Sequence, residues 1–137
     1  MKKVYFSASV RGGREELALY QEWIRRLKTK SRVLTDFLGD GDLEKREAET
    51  VSDREIYARD MTLLEECDLL IAECTAPSLG VGYEIAAAEA LGKPVVLLMR
   101  KNAPRRLSAM LSGNPRFPLI LYEGVAEGWE VLQKYME

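Results

Sequence analysis

The chain has 137 residues, 47% of them hydrophobic, enough for one domain with a buried core and too few to expect two. Its 20 basic and 22 acidic side chains leave a net charge of −2, which offers no electrostatic footprint for a nucleic-acid polymer or an anionic membrane. Histidine is absent, which excludes Ser-His-Asp and Cys-His arrangements and the H-E-x-x-H zinc site and leaves acid–base chemistry to carboxylates, tyrosine or lysine.

No apolar run approaches the roughly 20 residues that span a bilayer, and the opening "MKK" leads into a strand-like segment instead of a signal-peptide core. A cytoplasmic protein is expected.

The first strand-like run is "KVYFSAS", residues 3–9, and "SASVRGGR" follows from its end. There Gly12 and Gly13 let backbone N–H groups approach an anion, Arg11 and Arg14 offer forks matched to phosphate oxygens, and Ser7 and Ser9 add hydroxyls. An ordinary helix-starting turn is the competing reading. The next segment, "GREELALYQEWIRRLKTK", places Leu17, Tyr20, Ile24 and Leu27 at helical spacing.

A second strand is expected at "RVLTDF", 32–37. The polar stretch 38–51 then reads either as a solvated loop or as a lid over a pocket. "SDREIYARDMTLLEEC" opens with Ser52 and Glu55 in a capping-box pattern. On that helix Asp60 lies four residues from both Ile56 and Leu64, within the apolar stripe. A buried unpaired charge is expensive, so Asp60 either pairs with an arginine or belongs to a polar pocket. Desolvation would raise its pKa and suit it to proton transfer.

The third strand is "DLLIAEC", 68–74; Cys67 and Cys74 sit in or beside apolar runs and read as small core residues. After it comes "TAPSLGVGYEIAAAEALGK", with Ser78, Gly80 and Gly82 ahead of a helix that ends near Gly92. Unpaired N–H groups at such a helix start favour a phosphate, although the pattern is neither a Walker loop nor a full G-x-G-x-x-G. Glu84 stands in the stripe of Val81, Ala88 and Leu91 and so aims inward, whereas Glu89 can point to water. A carboxylate held near a positive helix end would stay ionised, as a nucleophile must.

"PVVLLM" (94–99) and "PLILY" (118–122) complete five strands. Between them "PRRLSAML" reads as an amphipathic helix with Leu107, Met110 and Leu111 on its apolar side, and residues 125–136 form a last one. Continuously apolar strands alternating with helices imply a single α/β domain over residues 1–137: a doubly wound, flavodoxin- or Rossmann-like, five-stranded parallel sheet with helices on both faces.

Two inward carboxylates, Glu84 and Asp60, with an anion cradle between them suggest cleavage of a glycosidic bond through an oxocarbenium-like transition state. Tyr5 on the first strand either orients one of the acids or is ordinary core.

Together "VYFSASVRGGRE", "YARDM", "AECTAPSLGVGYE" and "RRLSAML" resemble the 2′-deoxynucleoside 5′-phosphate N-hydrolases, a branch of the nucleoside 2-deoxyribosyltransferase superfamily. The resemblance implies hydrolysis of a deoxynucleoside 5′-monophosphate, with Glu84 as nucleophile, Asp60 as the essential aspartate and Tyr5 as the strand-one tyrosine. It places phosphate ligands at Arg11, Ser78, Gly80 and Ser108, the last reaching across a homodimer. Ser9, Gly12, Gly82 and Phe37 are secondary pocket candidates, and no metal or organic cofactor is implied. Phe37 stands where members often carry histidine near the base, and 38–51 matches them poorly, which leaves base preference open. A deoxyribosyltransferase and a non-catalytic nucleotide-binding module are the alternatives.

Overall fold

The computed structural model describes residues 1–10 and 16–137. Strands β1 (Lys3–Ser7), β2 (Arg32–Val33), β3 (Leu69–Glu73), β4 (Val95–Arg100) and β5 (Leu119–Tyr122) form one parallel sheet in the order β2-β1-β3-β4-β5. Helices α1 (Leu17–Lys28), α2 (Leu43–Thr50), α3 (Asp53–Glu66), α4 (Leu79–Ala90), α5 (Ala109–Ser112) and α6 (Val125–Leu132) lie between and after the strands. Strand order reverses between β1 and β3, and in such sheets the connections diverge there and open a crevice beyond the carboxyl ends.

The two faces of the sheet are covered by different helices, and the period-two alternation of each strand decides which side chain meets which helix. Val4, Phe6, Ile71 and Leu98 pack with Tyr20, Trp23 and Leu27 of α1 and with Trp129 and Leu132 of α6. Tyr5, Leu70, Ala72 and Leu97 share the opposite core with Leu64 of α3 and with Val81, Ile85 and Ala88 of α4. Tyr5 pairs in register with Leu70, and Ser7 with Ala72, so both belong to the α3/α4 side. Cys67 and Cys74 are buried and free, as their neighbours imply.

The helix starts follow local chemistry. Ser52 Oγ accepts the Glu55 N–H at 3.1 Å while Glu55 Oε1 accepts the Ser52 N–H at 3.1 Å, the expected capping box. Ser78 caps α4 by accepting the Val81 N–H at 3.3 Å. That helix ends where Gly92 takes φ +74°, a left-handed conformation natural to glycine. Among the described residues no helix is long and apolar enough to cross a membrane.

Three expectations need correction. The second strand covers only Arg32–Val33, because Thr35 Oγ1 takes over Phe6 itself, accepting its N–H at 2.9 Å and donating to its carbonyl at 2.6 Å. The chain then coils into a 3-10 turn over Asp36–Gly39, which carries Phe37 off the sheet. Residues 38–51 are not a loop: they contain α2, a helix whose only buried residues, Leu43 and Glu47, are one turn apart. So few apolar positions give no readable period. Finally, "PRRLSAML" turns helical only at Ala109, in a helix that runs to Ser112, and Met110 faces outward, 83% exposed.

Beyond β3 a buried polar chain fixes the turn leading to α4. Glu73 Oε1 accepts the Thr75 N–H at 2.7 Å, Tyr122 O–H donates to Glu73 Oε2, and Trp23 Nε1–H donates to the Tyr122 oxygen at 3.0 Å. Gly128 of α6 packs against this chain: a Cβ there would lie 2.9 Å from Trp23 Cη2 and 3.1 Å from Tyr122 Cβ. Gly128→Ala therefore costs about 1–3 kcal/mol of overpacking, offset by less than about 1 kcal/mol of helix propensity. A lower urea midpoint is expected; an unchanged or higher one would contradict the packing described.

Candidate active site

A cavity of about 570 Å³ opens past the end of β1, where Ala8 and Val10 line it. Into it converge Tyr5 from β1, Phe37 from the 3-10 turn, Glu47 from α2, Arg59 and Asp60 from α3, Ser78 that caps α4, and Gly80 and Glu84 from α4. Most of the candidate residues are thus brought together. Ser9 lies behind the wall, fully buried, its hydroxyl without a hydrogen-bond partner among the described residues. Gly82 and Ser108 line a neighbouring groove of about 660 Å³, which shares Ser78, Leu79 and Val81 with the first. Arg11 and Gly12 lie outside the described residues.

Glu84 occupies the second turn of α4, since the helix begins at Leu79 and includes Gly80 and Gly82 instead of following them. Its carboxyl is governed by burial, not by the helix end: desolvation pushes its pKa up to about 7. The Tyr5 hydroxyl works against that shift, as does the Arg59 charge, while the charge of Asp60 adds to it. The expected permanently ionised glutamate is therefore a group that titrates near neutrality. Burial, reinforced by the Glu84 and Asp60 charges, holds the Tyr5 phenol neutral.

Asp60 meets both conditions set by its position in the stripe. It lines the cavity and pairs with an arginine, Arg59 Nε donating to its Oδ1 at 2.9 Å. Desolvation raises its pKa, Arg59 opposes the rise and the Glu47 charge adds to it. Arg59 and Glu47 escaped the sequence reading. The adjacent "RD" pair was visible, but its partner Glu47 sits in a charged segment where nothing marks one glutamate as buried. Two other details differ: Glu89 accepts a hydrogen bond from Asn114 Nδ2 at 2.6 Å, and Leu91 is 40% exposed.

The start of α4 is built for close approach. Ser78 satisfies the Val81 N–H, and no carbonyl within the helix reaches the N–H groups of Leu79 and Gly80. A Cβ on Gly80 would meet only Ser78 Oγ at 3.7 Å, and one on Gly82 would meet nothing within 4 Å. Internal packing thus does not require either glycine, although each costs its helix about 0.5–1 kcal/mol relative to alanine. Bare backbone at this point suits an external anion.

The raised pKa has a stability consequence. The folded protein holds the Glu84 proton more tightly than the unfolded chain, so stability falls as pH rises from about 4.5 to about 7 and levels off above. Glu84→Gln should therefore be more stable than the parent at pH 8, by on the order of 1–3 kcal/mol, with the difference closing as pH falls towards 4.5. Urea unfolding across that range checks it; a parent stabilised by raising the pH through this window would contradict it.

Comparisons with known proteins identify the family. The family model described as nucleoside 2-deoxyribosyltransferase matches residues 4–131. The chain is 48% identical over 111 residues to the 5-hydroxymethyl-dUMP N-hydrolase of Mus musculus, covering 80% of this chain and 64% of that protein. Its identity to the Rattus norvegicus 5-hydroxymethyl-dUMP N-hydrolase is 43% over 139 residues, 98% of this chain and 84% of that protein. Among solved structures, a CMP N-glycosidase of Clostridium botulinum matches with a TM-score of 0.67 at 23% identity, covering 98% of this chain and 99% of that one, a likeness of fold. With a match running from β1 into α6, the chain belongs to the nucleoside 2-deoxyribosyltransferase family.

Proposed function

We propose that the protein hydrolyses the N-glycosidic bond of 2′-deoxynucleoside 5′-monophosphates, releasing the free base and 2-deoxyribose 5-phosphate. The observation that carries this reading is one cavity holding the Glu84 and Asp60 carboxyls and the Tyr5 hydroxyl beside the open start of α4. The names of the mouse and rat relatives support the reaction class.

Ionised Glu84 attacks C1′ as the C1′–N bond breaks, and the bond's electron pair leaves with the base. Asp60, whose raised pKa favours its acid form, gives that base a proton. Water then attacks the glycosyl ester, its proton returns to Asp60, and Glu84 is freed as carboxylate. Tyr5 holds the Glu84 carboxyl through its hydroxyl. The phosphate is held by the Leu79 and Gly80 N–H groups with Ser78 and Arg11.

Ser108 is exposed and lines the groove next to the cavity, so it suits a phosphate in the site of a second copy better than one in its own. Leu79, 96% exposed, and Met110 rim that same groove and offer the apolar surface that a homodimer of this kind would bury. The same reading places the protein in the cytoplasm, where mononucleotides are made and used.

Incubation with the four deoxynucleoside monophosphates, their ribonucleotides and the unphosphorylated nucleosides, with free base followed by chromatography, tests the proposal. Base release is expected from deoxynucleotides, with a bell-shaped pH dependence of kcat/KM, because the active form pairs ionised Glu84 with protonated Asp60. Glu84→Ala should abolish release while nucleotide binding persists; full activity in that variant would refute the assignment. Ser108→Ala should raise KM for phosphorylated substrates, and an unchanged KM would remove Ser108 from the site.

A further inference from the structure

Arg59 ties together three parts of the cavity wall. Its Nε donates to Asp60 Oδ1 at 2.9 Å, its Nη1 donates to Glu47 Oε2 at 2.7 Å, and its guanidinium carbon lies 4.3 Å above the centre of the Phe37 ring. The ring fixes the plane of the fork and the two carboxylates fix its rotation, so little freedom remains. Glu47 is one of two buried residues of α2; with Leu43, one turn earlier, it forms the whole inward face of that helix. The helix is otherwise exposed and mostly charged, and its seating depends on this ion pair and one leucine.

We infer that Glu47 and Arg59 form a brace that positions Asp60 for proton transfer, with α2 as the element that carries the brace. The inference rests on the acid role given to Asp60 above. With Oδ1 held by Arg59, Oδ2 is the oxygen left to carry the proton to the departing base. The groups acting on Asp60 are Arg59 on its own helix and Glu47 from α2; Tyr5 of β1 and Glu84 of α4 share the pocket with it. Arg59 is the cation among them. Neither Arg59 nor Glu47 needs to touch the substrate for this, so both are positioning residues.

The test compares a natural deoxynucleotide with 4-nitrophenyl 2-deoxyribose 5-phosphate, whose leaving group departs without a proton. Arg59→Met should lower kcat on the natural substrate by at least tenfold, with KM little changed, and cost the nitrophenyl substrate far less, only what the lost Arg59 charge takes from Glu84 ionisation. Arg59→Lys, which keeps the charge, should recover part of the loss, and Glu47→Gln should lose severalfold in the same selective way. In an Asp60→Asn background Arg59→Met should add only that smaller loss. Equal loss on both substrates, or a full additional loss in the Asp60→Asn background, would overturn the brace. Selective losses in the Asp60→Asn variant with none in Arg59→Met would overturn it while leaving the hydrolase reading intact. A readout independent of turnover is the Asp60 carboxyl titration by carbon-13 NMR, which should move to higher pH in Arg59→Met. An unmoved titration overturns the brace even in a protein that cleaves no nucleotide, the latter result alone counting against the proposed function.

Discussion

A carboxyl group held out of water on the second turn of α4 is the constraint on which the site depends. An ionised carboxylate buried alone would cost several kcal/mol, and such groups respond by keeping their proton. Glu84 stops partway, near pH 7, because the Tyr5 hydroxyl and the Arg59 charge favour its ionised form while burial and Asp60 oppose it. Fold topology sets that balance. The parity of β1 turns Tyr5 and Ser7 towards the face covered by α3 and α4, and the reversal between β1 and β3 leaves that face open at its carboxyl end.

A second buried glutamate shows what the balance would be without a cavity. Glu73 is fully enclosed, and both its oxygens are occupied, one by the Thr75 N–H and one by the Tyr122 hydroxyl. Burial raises its pKa too, but it faces no open space and serves to fix the turn from β3 to Ser78. Burial pushes the Glu84 pKa up as well, but the Tyr5 hydroxyl is its main hydrogen-bonding partner and a cavity lies in front of it. Saturated partners make Glu73 a structural acid; the open cavity beside Glu84 is what supports the reactive role proposed for it.

How much of this was legible in the sequence depended on whether a residue broke a pattern. Asp60 and Glu84 stood out because each interrupts an apolar helical stripe, and the parallel sheet followed from strands too apolar to have a wet face. Arg59 and Glu47 interrupt nothing: they sit among charged neighbours, and only the docking of α2 buries one of them. The second strand was overread because Thr35 replaces backbone pairing with its side chain, a choice that composition does not record. Gly80 and Gly82 suggested a turn by composition, yet Ser78 starts the helix ahead of them, and their worth lies in the bare backbone they leave at its mouth.

The central claim, that Glu84 bonds to the sugar before water does, has a stereochemical signature: two successive displacements at C1′ return the original configuration. Turnover of a β-configured deoxynucleoside monophosphate in methanol-containing buffer, with the methyl 2-deoxyriboside 5-phosphate product assigned by proton NMR, reads it directly. The account predicts the β-methyl glycoside; the α-methyl glycoside as the enzymatic product would mean a single direct displacement and would contradict the role given to Glu84.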